Sequence, residues 1–297
     1  MSGAWRVAVA RHAVGAPEGF DAFARRQQAS LRRACALGAR IAVLPEYLSL
    51  ELAAGFDPPV CADLHASLAA LQRHRGDWID LFTGLARETG LLVAAGSFLL
   101  DTGTARYRNR CDLFAPGGTH QWQDKLQLTG FEKAVGSIEP GDALRVFEHD
   151  GLRLGVAVCY DIEFPLPVRA QCEAGARLLL VPSCTDTAAG ATRVRVGCLA
   201  RALENRCFVA QAVTAGDAPW SPALDVNTGQ AAVYAPMDAG LPDDGVLASS
   251  AGDAEWTVAA LDFDALQASR DRAQVANDRD WPAQSAPGLS QAQVVKL

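Results

Sequence analysis

Short apolar runs alternate along this chain with stretches of helical spacing, and that alternation restricts it to an α/β fold. Trp5 to Ala10 alternates as a strand, and Asp21 to Leu37 has helical apolar spacing that stops at Gly38, a C-cap residue. Ile41 to Leu44 is a short buried strand closed by Pro45. The order then repeats, with a helix from about Trp78 to Glu88, Gly90 as its stop, and a strand from Leu91 to Gly96. Arg108 to Phe114 and Thr119 to Trp122 predict a hairpin across Pro116-Gly117-Gly118. The second half supplies strands at Ala143 to Phe147, Leu152 to Val158 and Leu178 to Val181, with a helix after Pro165. A long helix near Val194 to Arg206 follows, then strands at Phe208 to Val213, Ala231 to Tyr234 and Trp256 to Leu261. Strands alternating with helices predict α/β, and the hairpins predict mixed sheets. No Pro/Gly/Ser-rich linker divides the chain, so residues 1–297 are expected to form a single domain. The polar tail from about Ser269 to 297, with Trp281-Pro282 and Val294-Val295, reads as irregular and is expected to pack on a partner subunit.

Composition removes several function classes. The net charge is −7 and no Lys/Arg cluster stands out, which argues against nucleic acid as a partner. No run approaches the ~18–20 apolar residues of a membrane span. Met1 to Arg11 lacks the apolar core and cleavage site of a signal peptide, so a cytoplasmic protein is expected. The eight cysteines, at 35, 61, 111, 159, 172, 184, 198 and 207, are scattered, and reduced thiols are expected in place of a disulfide framework. The five histidines are neither paired at helical spacing nor close to paired cysteines, so no metal site is expected.

Three polar residues stand just beyond the ends of apolar strands: Glu46 after Ile41 to Pro45, Lys125 after Thr119 to Trp122, and Cys159 after Val156 to Val158. In an open α/β sheet, strand ends at one edge converge on a common crevice. Cys159 falls where a strand hands over to a helix, a junction that exposes a side chain and aims backbone N–H groups at what it attacks. A free thiol is mostly protonated near neutrality, so a nucleophilic cysteine needs a carboxylate to take its proton and a cation to hold the charge that develops. Singly, each residue has an ordinary explanation: a small buried hydrophobe, a solvated loop acid, a surface lysine.

Together with their flanks they do not. Leu44-Pro45-Glu46-Tyr47, Asp124-Lys125-Leu126, Pro140-Gly141-Asp142, Gly155 to Asp161 with Phe164-Pro165, and Arg201 to Asn205 resemble the nitrilase, or carbon–nitrogen hydrolase, superfamily, in that family's order. The resemblance implies a four-layer α-β-β-α sandwich, paired into dimers or larger assemblies. It implies a Glu–Lys–Cys triad, carried onto Glu46 as general base, Lys125 as oxyanion and thiolate partner, and Cys159 as nucleophile, with the Tyr160 N–H completing an oxyanion hole. A second glutamate near the lysine is implied; Glu132 is the candidate and Glu139, beside a turn-like Pro140-Gly141-Asp142, the alternative. The implied chemistry is hydrolysis of a small linear amide through a thioester, with no metal or organic cofactor. A nitrilase or an N-carbamoyl-amine hydrolase using the same triad is the runner-up, and a non-catalytic scaffold of the same fold is the different-class alternative.

Departures bear on the substrate. Tyr160 to Pro165 resembles the amidase branches, not the true nitrilases. Glu163 stands where an arginine is common in the ω-amidase-like pattern, which weakens the case for a dicarboxylate monoamide. Arg193 and Arg195 stand near the start of the Arg201 helix, where an aromatic residue is common, and Leu199 where an arginine is common. The pocket is expected to be lined by Tyr47, Tyr160, Glu163, Ser183, Thr185 and Trp220, with Cys184 an ordinary thiol beside it. The Thr129 to Glu132, Ser183 to Asp186 and Ala218 to Pro222 stretches resemble a poorly described bacterial subgroup of the family.

Overall fold

The first strand, β1 (Trp5–Ala13), is where the fold turns, because its two ends belong to different sheets. The computed structural model describes residues 5–273 and 275–296; residues 1–4, Gln274 and Leu297, which include part of the N-terminal segment and of the tail read from the sequence, lie outside the described residues. In chain order β1 is followed by β2 (Ile41–Leu44), β3 (Leu92–Ala95), β4 (Phe98–Asp101), β5 (Tyr107–Phe114) and β6 (His120–Asp124). Then come β7 (Val146–His149), β8 (Leu152–Val156), β9 (Leu178–Ser183), β10 (Phe208–Asp217), β11 (Val226–Asn227), β12 (Ala232–Tyr234), β13 (Val246–Ser249) and β14 (Trp256–Leu261). The helices are α1 (Phe20–Ala36), α2 (Pro58–Cys61), α3 (Leu64–Leu71), α4 (Arg75–Thr89), α5 (Gly130–Val135), α6 (Pro165–Glu173), α7 (Ala188–Asn205), α8 (Phe263–Arg272) and α9 (Asn277–Asp280).

Val7–Val9 pair in parallel with Ile41–Val43, while Arg11–Ala13 pair in parallel with Val213–Ala215 of β10. One strand thus joins two mixed sheets, and the path runs β4-β5-β3-β2-β1-β10-β9-β8-β7. The helix α4 packs on β3 and β5 with α1 beside it, and α6 and α7 pack on β8 and β10, giving the α-β-β-α sandwich. Every residue of β2, β3 and β9 is buried, which is why these strands read as unbroken apolar runs without alternation. Among the described residues no helix is long and apolar enough to cross a membrane.

Several element boundaries differ from the sequence reading, each for a local reason. The strand expected to reach Val158 leaves its ladder at Val156, because the Val158 N–H turns to the carboxylate of Asp161 at 3.1 Å. The helix expected from Val194 begins at Ala188, where the Thr187 hydroxyl caps it by accepting from the Gly190 N–H at 3.1 Å. The strand expected at Ala143 to Phe147 lies at Val146–His149, its register set by β8. The start of the tail is not irregular: α8 runs across Ser269, which is fully buried and accepts a hydrogen bond from Arg206 Nη2 at 2.8 Å. Trp281 lies under the Arg169 guanidinium, 4.8 Å away, so this part of the tail packs on its own chain.

Candidate active site

Glu46 reaches the site through a tight corner. Tyr47 takes a left-handed backbone conformation (φ 61°), and its N–H donates to Ser97 Oγ at 2.8 Å. The adjacent Gly96 approaches so closely that a Cβ there would stand 2.1 Å from the Pro45 carbonyl oxygen; only glycine fits, and the corner carrying Glu46 is locked against the β3–β4 turn. Lys125 extends the β5–β6 hairpin by one bond, its N–H donating to the Asn109 carbonyl at 2.9 Å. The Pro140-Gly141-Asp142 stretch fixes its other side, with the Gly141 N–H on the Lys125 carbonyl at 2.7 Å.

Cys159 opens a 3₁₀ turn over Cys159–Glu163, also in the left-handed region (φ 49°). A non-glycine residue held there stores strain, as the residue at a sharp strand-to-helix turn does. Asp161 holds the turn. Its buried carboxylate accepts from Val158 N at 3.1 Å, from Leu126 N at 3.0 Å and from Gln127 N at 2.7 Å. The loop leaving Lys125 and the elbow presenting Cys159 are therefore pinned to one side chain. Burial pushes the Asp161 carboxyl up to about 7, against the three backbone N–H groups and the Lys125 charge that favour its ionised form.

The buried charges are two carboxylates and one ammonium. Lys125 Nζ lies 2.8 Å from Glu46 Oε1 and 2.8 Å from Glu132 Oε2. Burial alone would lower the lysine, but the two carboxylates outweigh it and hold the ammonium charged. The carboxylates are not equivalent. Glu132 Oε2 also accepts from Thr129 N at 2.9 Å, and Oε1 from the Tyr47 hydroxyl at 2.7 Å and Asn109 Nδ2 at 3.2 Å. Burial would raise it, but Lys125 and these donors hold it below the usual carboxylate range. Glu46 accepts from Asn109 Nδ2 at 2.8 Å and from the Cys184 N–H at 3.1 Å, with the Cys159 thiol close by. Burial, with the Glu132 charge adding to it, leaves Glu46 above its ordinary value in spite of Lys125. Burial and the Glu46 charge push the Cys159 thiol well up, so at rest it is a thiol whose hydrogen points at the Cys184 carbonyl, 3.5 Å away. Moving that proton to Glu46 conserves the net charge of the site, and of the two carboxylates Glu46 is the one with a raised proton affinity.

These groups open onto a cavity of about 450 Å³. Of the residues expected to line it, Tyr47, Tyr160, Glu163 and Thr185 do so. Ser183 does not: it is the fully buried last residue of β9, and the next residue, Cys184, faces the cavity instead. Trp220 stands off the lining, its carbonyl accepting from the Cys61 thiol, while Pro222 and Ala223 form that wall. Cys184 contributes more than a thiol, since its N–H holds Glu46 and its carbonyl meets Cys159. Glu139 pairs with Arg108 at 3.2 Å, and the second carboxylate at Lys125 Nζ is that of Glu132. Asn109, which bridges both carboxylates, escaped the sequence reading; its one signal is a polar residue at the inward position that β5 otherwise gives to Tyr107 and Cys111, between the outward Arg108 and Arg110. Among the described residues no group of three or more His, Cys, Asp or Glu side chains is arranged to hold a metal ion.

A family model described as carbon–nitrogen hydrolase matches residues 6–270. A probable hydrolase of Bacillus subtilis (strain 168) is 29% identical over 278 residues, covering 93% of this chain and 53% of that protein, so the chain spans about half the length of that relative. An omega-amidase of Xenopus tropicalis is 25% identical over 267 residues, covering 84% of this chain and 89% of the relative. Among solved structures, a variant of the amidase from Nesterenkonia sp. AN1, showing the result of Michael addition of acrylamide at its active-site cysteine, matches with a TM-score of 0.67. It is 25% identical, with 93% of this chain and 99% of that one covered. The fold is also that of Saccharomyces cerevisiae Nit3, a nitrilase-superfamily member, with a TM-score of 0.74 at 19% identity over 93% of this chain and 96% of that one.

Proposed function

The chain belongs to the carbon–nitrogen hydrolase family and is a hydrolase of amide type, and from that premise we propose that it cleaves a small linear amide through a thioester on Cys159. The observation that carries this reading is the meeting of a thiol, a proton-accepting carboxylate and a saturated ion pair on one cavity, drawn from three separate strand ends.

In the first stage the Cys159 sulfur adds to the amide carbon while its proton passes to Glu46. Lys125 and the Tyr160 N–H hold the oxygen that becomes negative. The tetrahedral intermediate collapses as Glu46 returns the proton to the departing nitrogen, releasing ammonia or an amine and leaving the acyl group on sulfur. In the second stage water adds to the thioester with Glu46 taking its proton. Collapse releases the carboxylic acid and restores the thiol. Glu132 stays ionised throughout and keeps Lys125 in place, a positioning role. Tyr47 supports it, since burial and two nearby carboxylates keep its phenol protonated and donating.

The test is ammonia release from short aliphatic amides, read beside rapid-quench intact mass. Wild type is expected to show an acyl increment on Cys159. Folded Cys159→Ala is expected to show neither adduct nor ammonia, a loss of at least ~10⁴-fold. Turnover surviving in that variant overturns the reading.

A further inference from the structure

The outer wall of the cavity carries a charge pattern that the carbon–nitrogen chemistry does not use. Glu163, Asp186 and Asp225 line it, with Arg193 as the basic residue among them. Arg193 Nε lies 3.6 Å from Glu163 Oε1, so that pair offsets itself. Asp186 and Asp225 are exposed at the mouth, and among the described residues neither forms an ion pair.

The two aspartates come from distant segments, yet the fold fixes them on one rim. The Thr228 N–H donates to the Thr185 carbonyl at 2.8 Å, and the Thr185 hydroxyl donates back to the Thr228 carbonyl at 2.7 Å. The Cys184 thiol donates to Asn227 Oδ1 at 3.1 Å, and Asn227 Nδ2 holds its own loop through the Leu224 carbonyl at 2.6 Å. The loop after β9 and the segment around β11 are thereby stitched together beside the catalytic thiol. Asp186 stands one residue before Thr187, the N-cap of α7. Phe131 and Tyr160 line the same cavity, and aromatic rings are favourable neighbours for an alkylammonium group. The interior adds no compensating positive charge, because Lys125 is shared by Glu46 and Glu132.

We propose that the cavity selects linear amides whose far end carries a protonated amine, with Asp186 and Asp225 as the specificity-determining carboxylates. The inference rests on the amidase reading above. The reactive amide meets Cys159 at the base while the ammonium sits between the rim carboxylates. An amide ending in a carboxylate meets like charge at the same place.

Three amides of matched length decide it: 5-aminopentanamide, pentanamide and the monoamide of glutaric acid, compared by kcat/KM for ammonia release at low salt. The aminoamide is expected to exceed pentanamide by ~10-fold and the glutaric monoamide by more, the advantage shrinking as salt is raised. In the Asp186→Asn/Asp225→Asn double variant the ratio of aminoamide to pentanamide is expected to fall to within ~2-fold. Turnover of pentanamide with no charge preference, or with the acidic amide favoured, overturns the selectivity and leaves the amidase reading standing. A preference for the aminoamide that survives in the double variant overturns the role of these two aspartates. If wild type turns over none of the three and forms no adduct on Cys159, the amidase reading falls and this inference with it.

Discussion

The base and the rim of the cavity are built on opposite principles. At the base, Glu132 is surrounded by Lys125, Thr129, Tyr47 and Asn109, and each of these partners is itself fixed by backbone or a second side chain. At the rim, Asp186 and Asp225 stand exposed, and what is held is the backbone beside them, through Thr185 and Thr228. A preorganised, desolvated base is what stabilising developing charge requires, since nothing then has to move at the moment of reaction. A solvated rim contributes little to stability and a great deal to which charges are admitted. If the proposed mechanism sits at the base and the proposed selectivity at the rim, substitutions at each should separate accordingly.

The largest effect after loss of the nucleophile is expected from Glu46→Gln. The amide keeps the shape and can still accept from Lys125, but it cannot take the thiol proton. A fall in kcat/KM of ~10³-fold or more for charged and neutral amides alike, with an unchanged circular dichroism spectrum, is the expected outcome. A loss confined to one substrate charge class would place Glu46 with the rim, contrary to the comparison. A smaller effect is expected from Asp161→Ala, which touches no substrate. Freed from three backbone N–H groups, the Lys125 loop and the Cys159 elbow lose their common pin, and kcat is expected to fall ~10²-fold with KM little changed. A change in KM alone would show that Asp161 shapes the binding wall instead.

The parts legible from sequence are those whose meaning is local. Glu46 and Cys159 could be picked out because each follows an apolar run at a strand end, whereas Glu132 entered through the family resemblance, and the capping box that holds it, Thr129 to Glu132, went unread. Asn109 could not be read, because its purpose is to donate to carboxylates 63 and 23 residues away. Asp161 looked like one more residue after the nucleophile; what makes it a pin is the arrival of the Leu126 and Gln127 N–H groups, 35 and 34 residues distant. Ser183 was expected on the pocket and Cys184 lies there, a one-residue difference at a strand end that side-chain alternation turns into opposite faces. Thr185 was expected on the pocket, but the joining of the two rim loops could not be read for the same long-range reason: nothing in either loop announces that Thr185 and Thr228 will bind each other.

The smallest expected effect is a displacement of a pH profile, and it tests the inequality of the two glutamates directly. Glu46 must be ionised to take the thiol proton, so activity is expected to fall on the acid side as Glu46 is protonated. Burial first, and the Glu132 charge second, hold that protonation above the ordinary carboxylate range, while Lys125 opposes both. Glu132→Gln removes one of the two raising influences and leaves Lys125 to act on Glu46 alone. Glu46 then releases its proton more readily, and the acid limb of kcat/KM for a neutral amide should move to lower pH even though the maximum rate drops. The sign is the point. If Glu132 were the base and Glu46 the positioning residue, Glu132→Gln would abolish the limb along with the activity. A limb that moves upward would mean that Glu132 stabilises the ionised form of Glu46, which two carboxylates sharing one ammonium do not do.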